Sequence, residues 1–332
     1  GAVGLVLGGV IVNYLSWRWV LFVNVPIAVA LAILAPRVLA APDPPSGRLD
    51  IPGAVTVTGG MTSLVYGLSR AATHSWSDSL TLASLGAGLV LVVLFVAIEL
   101  RTRQPLMPLH LFASRNRTGA YALRMVAGSM SLAVLFFLGQ IVQNVMGFSP
   151  LQAGFAFLPL GAGVVITAQI TSRFIGRIGT RVPVAAGALA LAGGLYWLSR
   201  LTEQASYFPQ IFGPLAIVSI GFGLIFLPTT LAAVSGAARH ESGLASAILN
   251  VSQQLGGSIG LAVLGTIAAN VTRSRLAGVH ATHAATGAAL MAGFTTTFAV
   301  GILIALAGFA VAVAVIRGRP RRPVAAELPE AA

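Results

Sequence analysis

Residues 243–270 read GLASAILNVSQQLGGSIGLAVLGTIAAN, and no charged residue lies between Glu241 and Arg273. A helix needs ~20 residues to cross a bilayer, so this gap accommodates one crossing. The stretch is not uniformly apolar. Asn250, Gln253 and Gln254 stand at i, i+3 and i+4 and share one face of a helix. Gly256 and Gly260, four apart, allow a neighbouring helix to come close. A polar stripe with small residues in a membrane helix points to a surface that meets protein or a watery cavity.

Composition extends that reading to the whole chain. Of 332 residues, 56% are hydrophobic and only 8% are charged. A soluble domain carries about 25% charged residues, so the chain belongs in a membrane. The absence of cysteine excludes a disulfide framework, a thiolate nucleophile and a cysteine-based metal site. All 20 basic residues are arginine, and the formal net charge is +12. Because these arginines are spread between apolar spans, they suit lipid headgroups rather than nucleic acid. The chain opens GAVGLVLGGVIVNY, with neither Met nor a charged leader, and so reads as a piece of a longer protein.

Working outward, apolar spans fall near 1–14, 19–39, 51–70, 80–99, 119–146, 151–171, 183–199, 208–234, 243–270 and 290–316, which makes ten crossings with the first incomplete. Residues 41–50, with Pro42, Pro44 and Pro45, are a linker. Residues 101–118 mix arginine with Leu, Met and Phe, as an interfacial connector would. Gly147-Phe148-Ser149-Pro150 supplies a turn. The tail 317–332 is basic, then rich in Pro, Ala and Glu, and is expected to be disordered. With the first span running outward, one set of loops holds fourteen arginines and the opposite set five, with Arg124 left inside a span. This positive-inside bias leads to the expectation that the carboxy terminus lies on the cytoplasmic side of the membrane.

Several stretches resemble one family. Gly4-Leu5-Val6-Leu7-Gly8-Gly9, Trp17-Arg18-Trp19 and Asn24-Val25-Pro26 are similar to the fifth and sixth helices of the 14-helix drug:proton antiporters of the major facilitator superfamily. Pro105-Leu106-Met107-Pro108-Leu109, Gln143 before Gly147–Pro150, Gly176-Arg177-Ile178-Gly179-Thr180-Arg181 and Asn250 through Gly257 continue the match in the family's order. The family's Gly-Pro signature is replaced here by Gly4-Leu5.

The resemblance implies an all-α, polytopic membrane helical bundle, a major facilitator fold lacking its first four helices. Residues 1–40 would be the last two helices of the amino-terminal half and 51–100 an extra helix pair. Residues 119–316 would form a carboxy-terminal six-helix half around a cavity. It further implies proton-driven efflux of hydrophobic or cationic drugs by alternating access, with the coupling residues in the missing helices. A transporter of one specific metabolite, a membrane acyltransferase and a non-transporting remnant are the alternatives.

The expected substrate contacts are Gln140, Gln143 and Asn144 on one span and Asn250, Gln253 and Gln254 on another. Uncharged amides both donate and accept, which suits varied amphiphiles. The same amides would also serve as glue between helices, at about 0.6 kcal/mol per hydrogen bond. Arg173, Gly176, Arg177, Gly179 and Arg181 resemble the family's gating loop, although a plain topology signal explains them equally. Gly4, Gly8, Gly9, Gly256 and Gly260 are expected to pack helices.

Arg124 is expected to snorkel to headgroups. His74-Ser75-Trp76-Ser77-Asp78 spells the H-x-x-x-D of some acyltransferases, here without a partner motif. None of the eight acids (Asp43, Asp50, Asp78, Glu99, Glu203, Glu241, Glu327 and Glu330) falls inside a span, so these residues alone hold no carboxylate for a proton relay. Neither a metal nor a cofactor is implied.

Overall fold

Lipid offers no partner to a peptide group, so a chain of this composition must satisfy its backbone within helices. A computed structural model describes residues 2–38, 50–74, 76–102, 107, 109–235, 241–277 and 282–316. Among them every regular element is helical. The α-helices are α1 (Ala2–Tyr14), α2 (Trp17–Phe22), α3 (Asn24–Val38), α4 (Ile51–Thr73), α5 (Ser79–Glu99), α6 (Arg115–Gln140), α7 (Pro150–Ala156), α8 (Leu158–Ile178), α9 (Arg181–Leu198), α10 (Phe212–Val234), α11 (Ser242–Leu276) and α12 (His283–Val315). The linker 41–50, apart from Asp50, and the tail 317–332 lie outside the described residues.

Each expected span has a helical counterpart. Eight helical stretches among the described residues are long and apolar enough to cross a membrane. The other two are α1, with only 13 residues, and α4, whose 23 residues include four glycines and several hydroxyls. The first crossing after the connector starts at Arg115 rather than 119, so Arg115 and Arg117 belong to α6. Arg115 Nη2 donates to the Ala314 carbonyl at 2.6 Å, and Arg117 Nη1 to that of Leu111 at 3.4 Å.

Local chemistry explains the breaks. Gly147 takes φ +72°, which favours glycine, and Ser149 then opens α7 with a capping box. The Gln152 amide N–H donates to Ser149 Oγ at 3.2 Å, while the Ser149 N–H donates to Gln152 Oε1 at 2.8 Å. Pro159 near the start of α8 coincides with the step between α7 and α8 at Phe157.

A core of α6, α9, α10, α11 and α12 closes around Phe137, Phe222 and Phe298, all fully buried. The α4–α5 hairpin packs on it through α11, and α1 packs on α7. Within the hairpin, a Cβ at Gly67 would stand 2.8 Å from the Leu85 side chain, and one at Gly88 2.8 Å from that of Leu64. The hairpin is closed outside its spans by Arg70, whose Nε donates to Asp78 Oδ2 at 2.7 Å. The same carboxylate caps α5, accepting from the Thr81 N–H at 3.0 Å. Its pKa is held down at about 2, first by the Arg70 hydrogen bond and then by the Thr81 N–H. By contrast, no residue in the apolar window of the span Trp17–Arg37 is fully buried.

Packing at the closest helix contact can be tested directly. Gly256→Leu would place a Cβ 2.0 Å from the Met125 carbonyl oxygen, a backbone atom with nowhere to move. Overpacking of this kind costs roughly 1–3 kcal/mol, read as a lowered midpoint in a heating series of the purified chain. Gly4→Ala, which meets no atom within 4 Å, leaves that midpoint unchanged. Acid tests the hairpin closure. A carboxylate whose folded pKa is depressed contributes fully above its ordinary value and loses that contribution as pH falls through the folded one. Protection of the amides at the α4–α5 turn, referred to intrinsic exchange at each pH, should therefore fall between about pH 4 and pH 2, and Asp78→Asn should remove this dependence.

Candidate functional site

The two amide triples sit on helices that touch along their backbones. A Cβ at Gly128 on α6 would stand 2.2 Å from the Gln253 carbonyl oxygen, and one at Gly260 on α11 would stand 2.6 Å from Ser129 Cβ. Ser129 Oγ donates across the contact to the Gly256 carbonyl at 2.6 Å and is also placed to donate to the Met125 carbonyl at 3.0 Å. Small side chains and a hydroxyl, not the amides, therefore hold α6 to α11.

The triple on α6 is reshaped by its backbone. Residues Ile141–Val145 form a π-helix, with the Met146 N–H bonded to the Ile141 carbonyl at 3.0 Å. A π segment widens the helix by a residue per turn and recurs at functional sites. Here Asn144 Nδ2 donates to Gln140 Oε1 across that widened turn. Gln143 stays exposed and lines a groove of about 290 Å³ together with Gly8 and Gly9 of α1, Gly139 of α6 and Ala153 and Gly154 of α7. Gln140 lines a different and larger cavity of about 710 Å³, walled by α4, α6, α11 and α12.

The triple on α11 lines neither of these cavities. Asn250 and Gln254 are exposed and Gln253 is half-buried. Among the described residues, the side chains of Gln143, Asn250, Gln253 and Gln254 make no hydrogen bond. The triples are also well separated. Gln253 lies against Gly128, and from 128 to 140 the chain rises about 18 Å at 1.5 Å per residue. They stand at different depths along the α6–α11 pair, the α11 triple near the middle of α6 and the α6 triple at its end, rather than in one ring of contacts.

The remaining candidate residues separate in the same way. A Cβ at Gly9 would lie 2.7 Å from the Pro150 carbonyl oxygen, so α1 meets α7 there, while Gly4 and Gly8 have no described neighbour within 4 Å of that position. The expected gating loop is mostly helix. Arg173, Gly176 and Arg177 occupy the last turns of α8, Gly179 caps it with φ +72°, and Arg181 opens α9. Arginines in a final helical turn meet the unsatisfied carbonyls of the helix dipole, which favours continuing the helix to Ile178. The three arginines are exposed and, among the described residues, none pairs with an acid.

Arg124 does not snorkel. Its guanidinium turns inward, lying 4.5 Å from the Phe226 ring centroid, and Nη1 donates to the Phe226 carbonyl at 3.2 Å. Phe226 is stacked on Phe222, so the arginine ties α6 to α10. In the H-x-x-x-D stretch, Asp78 is engaged with Arg70 and Thr81, and Ser75 lies outside the described residues. The described acids all stand at helix ends or in turns: Asp50 and Asp78 as caps, Glu99 as the last residue of α5, Glu203 between α9 and α10, and Glu241 before α11. Glu241 Oε1 meets His110 Nε2 at 2.9 Å.

Known proteins match this architecture. The chain is 39% identical to the cephamycin export protein of Amycolatopsis lactamdurans over 82% of its own length and 57% of the relative's. It is 34% identical to the puromycin resistance protein of Streptomyces alboniger over 91% of its own length and 61% of the relative's. The chain thus spans about three-fifths of the length of these relatives. A bacterial homologue of the human lysosomal transporter Spinster, solved facing inward and occupied, shares the fold with a TM-score of 0.55 at 14% identity, over 96% of this chain and 80% of that one. The pattern that defines the Major Facilitator Superfamily matches residues 1–261. With the helical bundle, the apolar spans and these relatives in agreement, the chain belongs to the Major Facilitator Superfamily.

Proposed function

We propose that the chain is the larger part of an exporter of hydrophobic or cationic drugs that works by alternating access, with proton coupling in helices that precede Gly1. One observation carries this reading. The α6–α11 pair is held by glycines and Ser129, so Gln143 at one depth and Asn250, Gln253 and Gln254 at another are left free to meet a ligand. A buried amide without a partner costs about 1–3 kcal/mol, so free amides on a membrane helix call for water, solute or further protein opposite them. Two stations at different depths suit a solute passed along the bundle, and mixed donor and acceptor capacity suits many solutes. The names of the relatives, an antibiotic exporter and an antibiotic resistance protein, support export as the direction.

Proton coupling is assigned to preceding helices because a relay needs an acid at membrane depth. All described acids stand at helix ends or in turns, which supports a titrating group supplied by other helices.

In the complete transporter, Gln143→Leu and Gln253→Leu should each lower dye efflux several-fold while the amount of protein in the membrane stays at the wild-type level. Reduced protein with normal efflux per molecule would instead make the amides helix glue. The coding sequence upstream of Gly1 should add four apolar spans with at least one intramembrane acid, and replacing that acid by its amide should abolish proton-driven efflux. An open reading frame that begins near Gly1 would overturn this assignment.

A further inference from the structure

The cavity of about 710 Å³ lies apart from the free amides and has a consistent polarity of its own. Val65 and Leu68 of α4, Phe136 and Phe137 of α6, Leu261 and Ala269 of α11, and Phe294 of α12 contribute apolar wall. Phe137 meets Phe136 at 5.2 Å and Phe294 at 5.7 Å between ring centroids, so one side is an aromatic surface. The size falls in the range that encloses a drug-sized molecule, ~300–1,000 Å³.

Its polar groups are unequal. Gln140 accepts from Asn144, and Thr272 Oγ1 donates to the Ala289 carbonyl at 3.3 Å. Ser69 is also engaged. Arg273 is the one charged group among the described lining residues. It makes no ion pair or hydrogen bond to any described residue. No acid occurs in residues 274–316, and Asp78, in the turn of the hairpin whose α4 helps to wall the cavity, is held by Arg70 at 2.7 Å. An apolar chamber thus ends at one unneutralised, exposed cation.

We propose that this cavity binds an amphiphilic anion, its apolar body among Phe136, Phe137, Leu261 and Phe294 and its acidic head at Arg273. The hairpin forms part of the wall, and Trp76 fastens it there by donating from Nε1 to Thr266 Oγ1 at 2.9 Å, beside the lining residue Gly265. Binding at this place is independent of the export reading, since it uses none of the unpaired amides. The ligand has two sources with the same chemistry, an anionic phospholipid of the bilayer or a soluble lipophilic acid.

Trp76 provides the readout. With Trp17, Trp19 and Trp197 replaced by Phe, the chain is placed in nanodiscs of neutral phosphatidylcholine and titrated with bromoundecanoate, whose bromine quenches a tryptophan it touches. The uncharged bromoundecanol serves as the comparison. The acid should saturate the quench at a concentration at least tenfold below the alcohol, and Arg273→Gln should remove that difference while leaving the alcohol unchanged. Ala269→Phe, which fills the chamber, should weaken both. Equal half-saturation for acid and alcohol in the wild-type chain, or an Arg273→Gln variant that still prefers the acid tenfold, would overturn the proposal. Mass spectrometry of lipid carried through purification separates the sources. Anionic phospholipid retained by the wild type and lost in Arg273→Gln identifies the bilayer, whereas saturable binding of the acid without such lipid identifies a soluble amphiphile.

Discussion

The bundle depends on how closely two backbones can approach in a solvent that gives helices little reason to associate. Lipid tails are as apolar as leucine, so burial of apolar surface does not drive one membrane helix onto another. Contact area and interhelical hydrogen bonds remain, and both grow as the axes close. At the α6–α11 contact, Gly128 receives the Gln253 carbonyl and Gly256 receives that of Met125, at separations that leave no room for a Cβ. Ser129 adds its hydrogen bond to the Gly256 carbonyl. The same device recurs between α9 and α10, where a Cβ on Gly187 would stand 2.8 Å from the Gly221 carbonyl oxygen. Glycine is thus placed where backbones meet, and the large aromatic residues fill the space that these contacts frame.

That division of labour bears on the amides. Had Gln253 or Gln143 bonded across a helix contact, their presence would be explained by association alone. Their lack of any bond among the described residues, beside a serine that does bridge the contact, separates the holding function from the polar one. The π segment at Ile141–Val145 sharpens this, because it interrupts the regular i→i+4 pattern at the residues that present amides.

Much of the scaffold was legible in the sequence because spans are long and chemically blunt. An uncharged run of ~20 residues has few structural options in a bilayer, and arginine asymmetry adds direction. The Gly147–Pro150 turn was legible for a local reason, since Gly supplies positive φ and Ser-Pro opens a helix. What was not legible depended on partners far away in sequence. The i, i+3, i+4 spacing identified a shared face for each amide triple, but the axial offset between the triples is set by the α6–α11 register. Gly128-Ser129 could have disclosed that register as the small-residue counterpart of Gly256 and Gly260. No sequence signal marks the π segment. Arg124 looked like a snorkelling residue because its depth is readable from sequence and the position of the Phe226 ring is not.

Charge then orders the whole molecule. Carboxylates stand at helix ends, where Asp50 and Asp78 satisfy backbone N–H groups and Glu241 meets His110. Arg124, half-buried within the core bundle, is held by an aromatic face and a carbonyl instead of an acid, which fixes a cation without introducing a second titratable group. Every described acid stands at a helix end or in a turn, and the polar groups of the two triples are uncharged amides. Under the proposed function, energy input would reach these helices mechanically, through contacts such as Gly9 against the Pro150 carbonyl, where α1 lies against α7 at the start of the α7–α8 span. That contact joins the two sides of the expected pseudo-symmetric fold at the groove lined by Gln143. A small displacement of α1 would change the space around that amide directly, without altering any charge.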